Sequence, residues 1–321
     1  MAIAVVIVNF RTPELVNDCL ASLAQERDET MPFCAFVGDA DSGDGSVERI
    51  SAFIEEMGYD WAECFAIGVN GGFAYGNNAI VQRCVLPTDE YDFVYFLNPD
   101  TYVLPGAIKA LVRHLQSSDD CGVAGSKLEN PDGSPRSYGF RYPTPWREFF
   151  RGARVGLLNR LCSSASVKID DLNETAPVDW VSGASFMIRR ELLEKIGLMD
   201  DRFFLYFEET DFMRRTRAVG YSVWHVAESR VVHLAGQSTG VRSGDNATQR
   251  LSRYWLESRE RYFRKHFGIL GAKSATALFL LGDVLYRLYR FLQFKPAINP
   301  EYLWRDYVEH ACARARIEDS K

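Results

Sequence analysis

The stretch YFLNPDTYV, residues 95–103, runs from apolar side chains directly into Asn98, Pro99 and Asp100. Residues 93–97 are apolar and rich in aromatic and β-branched side chains, which is typical of a strand buried on both faces. In a parallel sheet, ligands bind beyond the carboxyl ends of the strands. Asp100 is therefore a candidate site residue. A parallel sheet would place further candidates directly after its other strands.

Further short apolar runs predict strands at residues 2–8, 35–37, 65–67 and 123–125. The run at the start of the chain is too short for a membrane span and lacks the basic segment of a signal peptide, so it is interpreted as the first strand. Segments with helical periodicity alternate with the strands, at residues 13–23, 46–57, 76–85 and 105–115. This order predicts an α/β fold with a mainly parallel central sheet flanked by helices.

The chain from residue 130 onward is less regular. Residues 130–177 are rich in Pro, Gly, Arg and aromatic residues, a composition typical of a functional connection. A strand and a short helix follow, then a helix that begins at Glu208 or Glu209, and two closing strands at residues 223–226 and 230–233.

The C-terminal part is predicted to be helical, at residues 250–267, 273–293 and 301–316. The middle helix has leucines on one face and arginines opposite, so it could lie in a membrane interface, pack on the catalytic domain or contact a second copy in a homodimer. Asp283 and Arg287 make it appear too charged to span a bilayer.

We therefore expect two domains. The first is an α/β domain at residues 1–245, with one half at 1–128 and the other at 129–245. The second is a helical C-terminal extension at residues 246–321.

Charge is distributed unevenly along the chain. Residues 1–249 contain 23 Lys+Arg and 35 Asp+Glu, whereas residues 250–321 contain 14 and 8. An acidic body argues against nucleic-acid binding, and a basic tail favours anionic lipid or a protein partner. The seven cysteines are odd in number and lack C-x-x-C spacing, which favours a reducing cytoplasm over a disulfide framework or a zinc site.

Acidic clusters occur in DADSGDGS (residues 39–46), NPD (98–100) and FEETD (207–211). A single acid after a strand usually forms a turn or caps a helix. Clusters that converge on one end of a sheet indicate instead a ligand or metal site. The segment NGGFAYGNN, residues 70–78, offers glycines for close backbone approach and uncharged asparagine donors, although alone it could be a turn and a helix start.

These segments together resemble family-2 glycosyltransferases with the GT-A fold, and most of all their bacterial rhamnosyltransferase-like branch. The matching segments are VIVNF, DADSGDGS, NGGFAYGNN, FLNPDT, VDWVSGASFMIRRE, FFLYFEETDFMRR and VVHLAGQST, in the family's order over residues 3 to about 240. The chain after about residue 270 lies outside the resemblance.

The resemblance implies that residues 1–245 are a catalytic domain, with a nucleotide-sugar-binding half at 1–128 and an acceptor half at 129–245. The donor would be a dTDP- or UDP-sugar. Asp39 would accept a hydrogen bond from the imide of the base, in a pocket lined by Val8 and Asn9. Ala40 stands where the family often has Asn, and Asp39 could instead make a turn to Gly45. The residues implied beside the diphosphate and sugar are Asn70, Gly71, Gly72, Asn77, Asn98 and Asp100.

A divalent cation, Mg²⁺ or Mn²⁺, is implied at Asp100 and His233. Asn98 stands where the family carries the first acid of a D-x-D pair, which removes one charge and implies weak binding of the metal. A histidine at the end of a strand, taken alone, is more often structural. Arg242, in a Gly/Ser-rich stretch, is a candidate for a loop that closes over the diphosphate.

Glu209 is implied as the general base that takes the proton of the acceptor hydroxyl in an inverting reaction. Glu208 is the rival for this role, and Glu208 and Asp211 would flank the base as further catalytic residues, raising its pKa or shaping the acceptor pocket. The three acids could also simply stabilise a helix N-terminus.

Trp180, Ser182 and Gly183 resemble the segment that forms the floor of the acceptor and donor-sugar pocket. The indole of Trp180 could stack on a sugar ring, or it could pack in the core.

We expect transfer of a sugar, with dTDP-L-rhamnose as the best donor, to a hydroxyl of a bacterial cell-surface glycan or lipid-linked acceptor. The expected location is the cytoplasm or the inner face of the cytoplasmic membrane. One alternative is a nucleotidyltransferase that makes the activated sugar, which would need a basic loop after the first strand, where only Arg11 is found. The other is a non-catalytic sugar-nucleotide-binding subunit, which Asn98 favours.

Overall fold

The computed structural model describes residues 2–28, 30–136, 138–156, 162–169, 172–234 and 248–312. The chain divides into two compact units. The first comprises Met1–Phe140, Asp170–Phe204 and Glu208–Arg242, and the second comprises Arg141–Ile169, Leu205–Phe207 and Ser243–Lys321. The second unit thus combines the C-terminal helices with two segments that come earlier in the chain.

The strands in the described residues are β1 Ile3–Asn9, β2 Phe33–Asp39, β3 Ala62–Ala66, β4 Phe93–Leu97, β5 Thr101–Val103, β6 Cys121–Glu129, β7 Gly139–Phe140, β8 Ala176–Val178, β9 Trp180–Val181, β10 Ser185–Arg189 and β11 Ser222–His233. The α-helices are α1 Pro13–Ala24, α2 Ser46–Glu56, α3 Phe73–Ile80, α4 Ala107–Ser117, α5 Pro145–Ala153, α6 Glu191–Ile196, α7 Glu208–Ala218, α8 Arg253–Leu292 and α9 Leu303–Cys312. A π-helical turn, Val81–Val85, extends α3, and a 3₁₀ turn forms at Ser163–Ala165.

The first βα unit illustrates why the sequence folds in this way. Strand β1 is buried along nearly its whole length, as its continuous apolar run predicts. Asn9 ends it, and its side-chain oxygen accepts hydrogen bonds from the backbone and hydroxyl of Thr12. Helix α1 then begins at Pro13, whose ring presets the helical φ at a position where no N–H is needed.

The central sheet has the strand order β3-β2-β1-β4-β10-β6-β11-β5, with β8 paired to β11. Strands β1 to β4 are parallel, and β11 is parallel to β6. Strand β10 runs antiparallel between β4 and β6. It has this direction because the long connection after β6 returns to the sheet at the same edge that it left. The α/β prediction is confirmed, and the sheet is parallel in its first half and mixed in its second.

Several predicted boundaries differ from the structure. The two closing strands are one strand, β11, with an irregularity in its pairing between Val226 and Arg230. The helix predicted from Gly76 begins at Phe73. Strands β5 and β8 were not predicted, because segments of three residues are too short to show a periodicity.

In the second unit, α5 and α8 cross with their backbones in contact. A Cβ atom on Gly152 would overlap the carbonyl oxygen of Phe279, and one on Gly282 would overlap that of Phe149. Small residues at the crossing therefore allow the close approach. The range of α8 contains two helices joined at Gly268, where φ is +69° and the backbone is not helical, so the two helices predicted over residues 250–293 are confirmed.

By length and composition alone, α8 is the one helix in the described part of the chain that could cross a membrane. This test rests on an 18-residue apolar stretch and counts length and composition alone, so the expectation that Asp283 and Arg287 exclude a span stays a prediction. About a third of that stretch is buried within the protein. Such a helix can equally be the core helix of a soluble protein.

Candidate active site

The predicted site residues meet at the carboxyl edge of the central sheet. Asn9 and Asp39 lie side by side at the ends of β1 and β2. Strand β10 starts at the same edge, where the backbone N–H of Asn98 donates to Ala184 O at 2.9 Å. The end of β11 reaches this edge too, since His233 pairs with Thr101.

The carboxylate of Asp39 is almost fully buried and organises the turn after β2. Its Oδ1 accepts from the backbone N–H of Ser42 at 2.9 Å, and its Oδ2 accepts from Ser42 Oγ and Asn9 Nδ2 at 2.6 Å each. The turn closes at Ser42 and not at Gly45. A carboxylate can accept about four hydrogen bonds, so one position on Oδ1 is left for a further donor.

Two more predicted donor-site residues shape the neighbourhood of β1. Val8 is half-buried, and a Cβ atom on Gly76 would lie 2.7 Å from its side chain, so glycine allows α3 to approach β1. Asn9 is fully buried and bonded through both side-chain atoms to protein groups. Its observed role is therefore to join the turns after β1 and β2.

The glycine-rich segment contacts another part of the same unit. Gly72 has φ +89°, and a Cβ atom there would overlap the carbonyl oxygen of Phe204. The N–H of Phe73 donates to that same oxygen at 2.8 Å. Asn78 exchanges two hydrogen bonds with the backbone of Met199. The segment thus holds residues 199–204, which lead toward α7.

The other predicted members of this segment have local roles. Asn70 Oδ1 accepts from the N–H of Gly72 at 3.2 Å, and Asn77 Nδ2 donates to the carbonyl of Phe73 at 2.8 Å. The nearest group to a Cβ atom on Gly71 would be the side chain of Tyr75. Asn70 and Gly71 are half-buried, whereas Asn77 is buried.

The predicted metal ligands lie next to each other. His233 Nε2 is 3.2 Å from Asp100 Oδ1 and 3.5 Å from Asn98 Nδ2. The pairing of β5 with β11 explains this, together with the hydrogen bond from Leu234 N to Asp100 O. The D-x-D-like segment and the histidine, 133 residues apart in sequence, thus form one polar cluster.

This pair fits a divalent cation. Two ligand atoms bound at about 2.1 Å and at a right angle lie about 3 Å apart, close to the observed 3.2 Å between Asp100 and His233. Among the residues that the structure describes, no group of three His, Cys, Asp or Glu side chains is arranged to hold a metal. The remaining ligands would have to be water and phosphate oxygens, as is usual for hard cations.

The side chains of Glu208 and Glu209, at the start of α7, are both buried. Burial, and next the charge of Glu209, raise the pKa of Glu208 well above its usual value. Glu209 faces Gly183, because a Cβ atom on that glycine would lie 3.7 Å from Glu209 Cβ and 3.6 Å from the ring of Phe73. Gly183 precedes Ala184, which is bonded to Asn98. The segment 183–184 therefore connects the surroundings of Glu209 with those of Asp100.

Asp211 has a different environment from the two glutamates. It is fully buried, and Arg215 Nε donates to its Oδ2 at 2.9 Å. Arg215 also donates to the carbonyls of Ile196 and Leu198. The guanidinium of Arg215 therefore fastens the turn after α6 to α7 and is not a solvated surface group.

The remaining predicted pocket residues lie on the segment around β9. Trp180 stacks on Phe140, with ring centroids 4.1 Å apart and an angle of 13° between the planes. Ser182 Oγ accepts from the N–H of Ala184 at 3.3 Å, which shapes the turn at Gly183. Trp180 is half-buried, so one part of the indole stacks on protein. Arg242 lies outside the described residues.

The turn directly before Glu208 is strained. Tyr206 and Phe207 both have positive φ values, 70° and 71°, which bulky side chains rarely adopt. Within the second unit, the carbonyl of Leu205 accepts from Ser258 Oγ at 3.0 Å, and the ring of Phe207 lies 5.3 Å from that of Tyr262. Strain of this kind is common beside functional groups.

The model for the family described as Glycosyl transferase family 2 matches residues 4–197, more than half of the chain. The chain belongs to this family. It is a glycosyltransferase.

Three known proteins illustrate the relationship. N-acetylglucosaminyl-diphospho-decaprenol L-rhamnosyltransferase of Mycobacterium tuberculosis is 27% identical over 226 residues, which cover 68% of this chain and 71% of the relative. The structure of GalNAc-T7 with UDP, GalNAc and Mn²⁺ has a TM-score of 0.59 at 14% identity, covering 97% of this chain and 55% of the other. The mannosyltransferase PcManGT of Pyrobaculum calidifontis with GDP-Man and Mn²⁺ has a TM-score of 0.53 at 13% identity, covering 96% and 85%. At these identities the two structures establish the GT-A fold alone.

Some residues that shape the site of this glycosyltransferase were not predicted. Ser42 and Phe73 are examples, since Ser42 completes the turn at Asp39 and Phe73 faces Gly183. The D-x-x-S spacing is a signal for the first. Arg230 makes a two-pronged ion pair with Glu129 at the end of β6, and this long-range contact leaves no signal in the sequence.

Proposed function

We propose that this glycosyltransferase moves L-rhamnose from a dTDP-linked donor to a hydroxyl of a lipid-linked or cell-surface glycan, with inversion at the anomeric carbon. The relatives that are named rhamnosyltransferases support this choice of sugar. The free cysteines agree with a reducing cytoplasm. The observation that supports the proposal is the segment 183–184, in which Gly183 lies close to Glu209 and Ala184 accepts a hydrogen bond from Asn98, two residues before Asp100.

The donor's base would bind at Asp39, whose Oδ1 retains one acceptor position for the imide N–H of thymine or uracil. Because Asn9 and Ser42 already hold this carboxylate, its orientation would not change on binding. A fixed acceptor favours an imide over a base that presents another acceptor at the same place.

The diphosphate would bind at Asp100 and His233, together with Asn98 as an uncharged neighbour. A divalent cation held by this pair would offset the charge that develops on the departing nucleotide diphosphate. An imidazole ligand favours Mn²⁺ over Mg²⁺. Because Asn98 supplies no charge, we expect the ion to bind mainly together with the donor.

Glu209 would act as the general base. Burial and the charge of Glu209 raise the pKa of Glu208 well above its usual value, which favours the protonated form of Glu208. We assign the base to Glu209, whose Cβ lies close to Gly183. The acceptor hydroxyl would lose its proton to Glu209 as its oxygen attacks the anomeric carbon from the side opposite the diphosphate.

The test compares Glu209→Gln with Glu208→Gln, using dTDP-L-rhamnose and UDP-sugars as donors. Loss of a general base lowers kcat by roughly 10²–10⁴-fold, so Glu209→Gln should show that loss while the Kd for the donor stays within about twofold. Glu208→Gln should retain most of the activity, because Gln resembles the protonated acid. Steady-state kinetics measure kcat, and calorimetric titration with dTDP measures the Kd.

The reverse result, with Glu208→Gln inactive and Glu209→Gln active, would move the base to Glu208. Release of pyrophosphate from a nucleoside triphosphate and a sugar phosphate would contradict sugar transfer and favour a nucleotidyltransferase. Donor binding without turnover by any acceptor extract would favour a non-catalytic subunit.

A further inference from the structure

One side of α8 is apolar and exposed along the second half of the helix. We call the following residues the outer stripe: Leu270, Leu281, Val284, Leu288, Phe291 and Leu292. Their side chains are 45–82% exposed. With 100° per residue, they fall within an arc of about 100° on the helix surface. A continuous apolar surface of this kind marks an interaction site.

The opposite side of the same helix is already occupied. Ala275, Phe279, Gly282 and Tyr286 are buried. Gly282 contacts the backbone of α5, and Phe279 stacks on Tyr307 of α9 with centroids 4.3 Å apart. The outer stripe is therefore the side of α8 that the described residues of this unit leave exposed.

Basic residues accompany the stripe. Residues 261–300 contain seven Lys+Arg and a single acid, Asp283. That acid is fully buried, with Arg154, Arg287 and Trp304 bonded to its carboxylate. The charge that this stretch presents to solvent is thus wholly positive.

The apolar surface continues past the end of the helix. Phe294 is 98% exposed at the turn that follows Leu292. Ile298 and Tyr302 are exposed in the segment leading into α9, and Trp304 is exposed in the first turn of α9. Tyrosine and tryptophan with an exposed ring and a polar edge are enriched at membrane–water interfaces.

We propose that the outer stripe docks on the surface of an anionic phospholipid bilayer, with α8 lying in the plane of the interface. Apolar side chains on one face, basic residues beside them and aromatic residues at one end are the features of interfacial helices. Attraction between Lys or Arg and anionic lipid adds to the burial of the stripe. The inference is independent of the identity of donor and acceptor.

Two other occupants fit the observations less well. In a twofold dimer the same patch meets itself, so the basic residues of the two copies would be brought together and repel. A membrane span would place Asp283 and its arginine partners within the hydrocarbon region, where charged groups are costly. It would also remove the contacts of α8 with α5.

The test uses the purified full-length chain and sedimentation with lipid vesicles. Vesicles of phosphatidylcholine with about 30% phosphatidylglycerol should bind at least about tenfold more tightly than pure phosphatidylcholine. Binding should weaken in about 1 M salt, because screening reduces the attraction. Equal binding to both lipids, or binding to neither, would overturn the proposal.

Substitutions on the outer stripe and elsewhere test which surface of the protein binds the vesicles. The double variant Leu288→Glu, Phe291→Glu should lower vesicle binding at least about tenfold while leaving dTDP binding unchanged. The matched control is Met57→Glu, which replaces an apolar residue that is 48% exposed directly after α2 and should bind vesicles like the wild type. Lys273→Gln and Lys295→Gln should each weaken binding to anionic vesicles about fivefold. Equal loss in the Met57 control would contradict a specific surface.

Two further outcomes would show that something other than a bilayer surface covers the outer stripe. A stable dimer in light scattering that Leu288→Glu, Phe291→Glu dissociates, without vesicle binding by the wild type, would show that a second copy covers the stripe. Resistance to alkaline carbonate extraction from cell membranes would show a span, since a surface-docked helix is released by that treatment.

Discussion

His225 is one of the buried titratable residues of the first unit. It is fully buried on β11 and stacks on Tyr138, with ring centroids 4.4 Å apart. Burial, with a smaller contribution from the charge of Lys127, lowers its pKa to about 4. The imidazole is therefore held neutral inside the first unit, in a position where an apolar ring would fit.

This environment predicts a pH dependence of stability that His225→Phe removes. The unfolded histidine has a pKa of about 6.5, so between pH 6.5 and 4 the unfolded state binds the proton more strongly and folding is weakened as the pH falls. We expect the free energy of unfolding of the wild type to fall about 1 kcal/mol more than that of His225→Phe between pH 7 and 5.5.

Urea unfolding at the two pH values measures this difference. Because other groups titrate equally in both proteins, their contributions cancel in the comparison. Parallel losses of stability in wild type and His225→Phe would contradict a depressed pKa at this residue.

At the scale of elements, the start of α3 decides how residues 199–204 are held. Glycine is needed at position 72 for two reasons. Its φ is positive, and the carbonyl of Phe204 leaves no room for a Cβ atom. Gly68 offers a comparison, since its φ is also positive, at +87°, but no atom lies within 4 Å of its Cβ position.

A comparison of Gly68→Ala with Gly72→Ala separates the cost of backbone strain from the cost of a steric clash. Gly68→Ala should cost only the strain of a left-handed residue, about 1–2 kcal/mol. Gly72→Ala should cost roughly 2–5 kcal/mol, because overpacking adds about 1–3 kcal/mol. Thermal or urea unfolding of the two variants measures these losses. Equal destabilisation would show that residues 199–204 can move away at little cost.

At the scale of the whole molecule, the second unit assembles segments that lie far apart in the chain. Glu148 of α5 is buried with Arg151 and with Arg259 of α8, each within 2.7 Å of its carboxylate. Burial alone would raise the pKa of Glu148, but the two guanidinium groups hold it below its usual value. Arg151 also donates to the hydroxyl of Tyr307 of α9 at 2.5 Å.

Glu148→Gln should therefore destabilise the second unit strongly. Removing one member of a buried ion pair leaves uncompensated charge and costs about 3–5 kcal/mol. The control Glu309→Gln breaks an exposed pair with Arg305 and should cost at most about 1 kcal/mol. Because the folded pKa of Glu148 is lowered, its contribution is present above the unfolded pKa and is lost as the pH falls through the folded value.

Unfolding monitored by tryptophan fluorescence tests this, since Trp255 lies within 5.1 Å of Arg151. Similar losses for Glu148→Gln and Glu309→Gln would show that the buried charges do not hold the three helices together.

Much of the first unit follows from local features of the sequence. The continuous apolar runs predicted β1, β2 and β4 and the polar residues Asn9, Asp39 and Asp100 at their carboxyl ends, because burial on both faces demands such runs and their ends must meet one edge. The pairing of Asp100 with His233 was implied by the family resemblance and is present in the structure. The short strands could not be predicted, since three residues show no periodicity.

The sequence by itself determined the fold class and family of this protein, since strand and helix periodicities and the polar residues after strands are local properties. Only the tertiary structure decided what each candidate contacts: that Gly72 receives the carbonyl of Phe204, that Arg215 holds Asp211, and that Glu209 faces Gly183. It also decided which side of α8 is buried. The physical reason is that these contacts join residues far apart in the chain, so their energies depend on packing that no local pattern records.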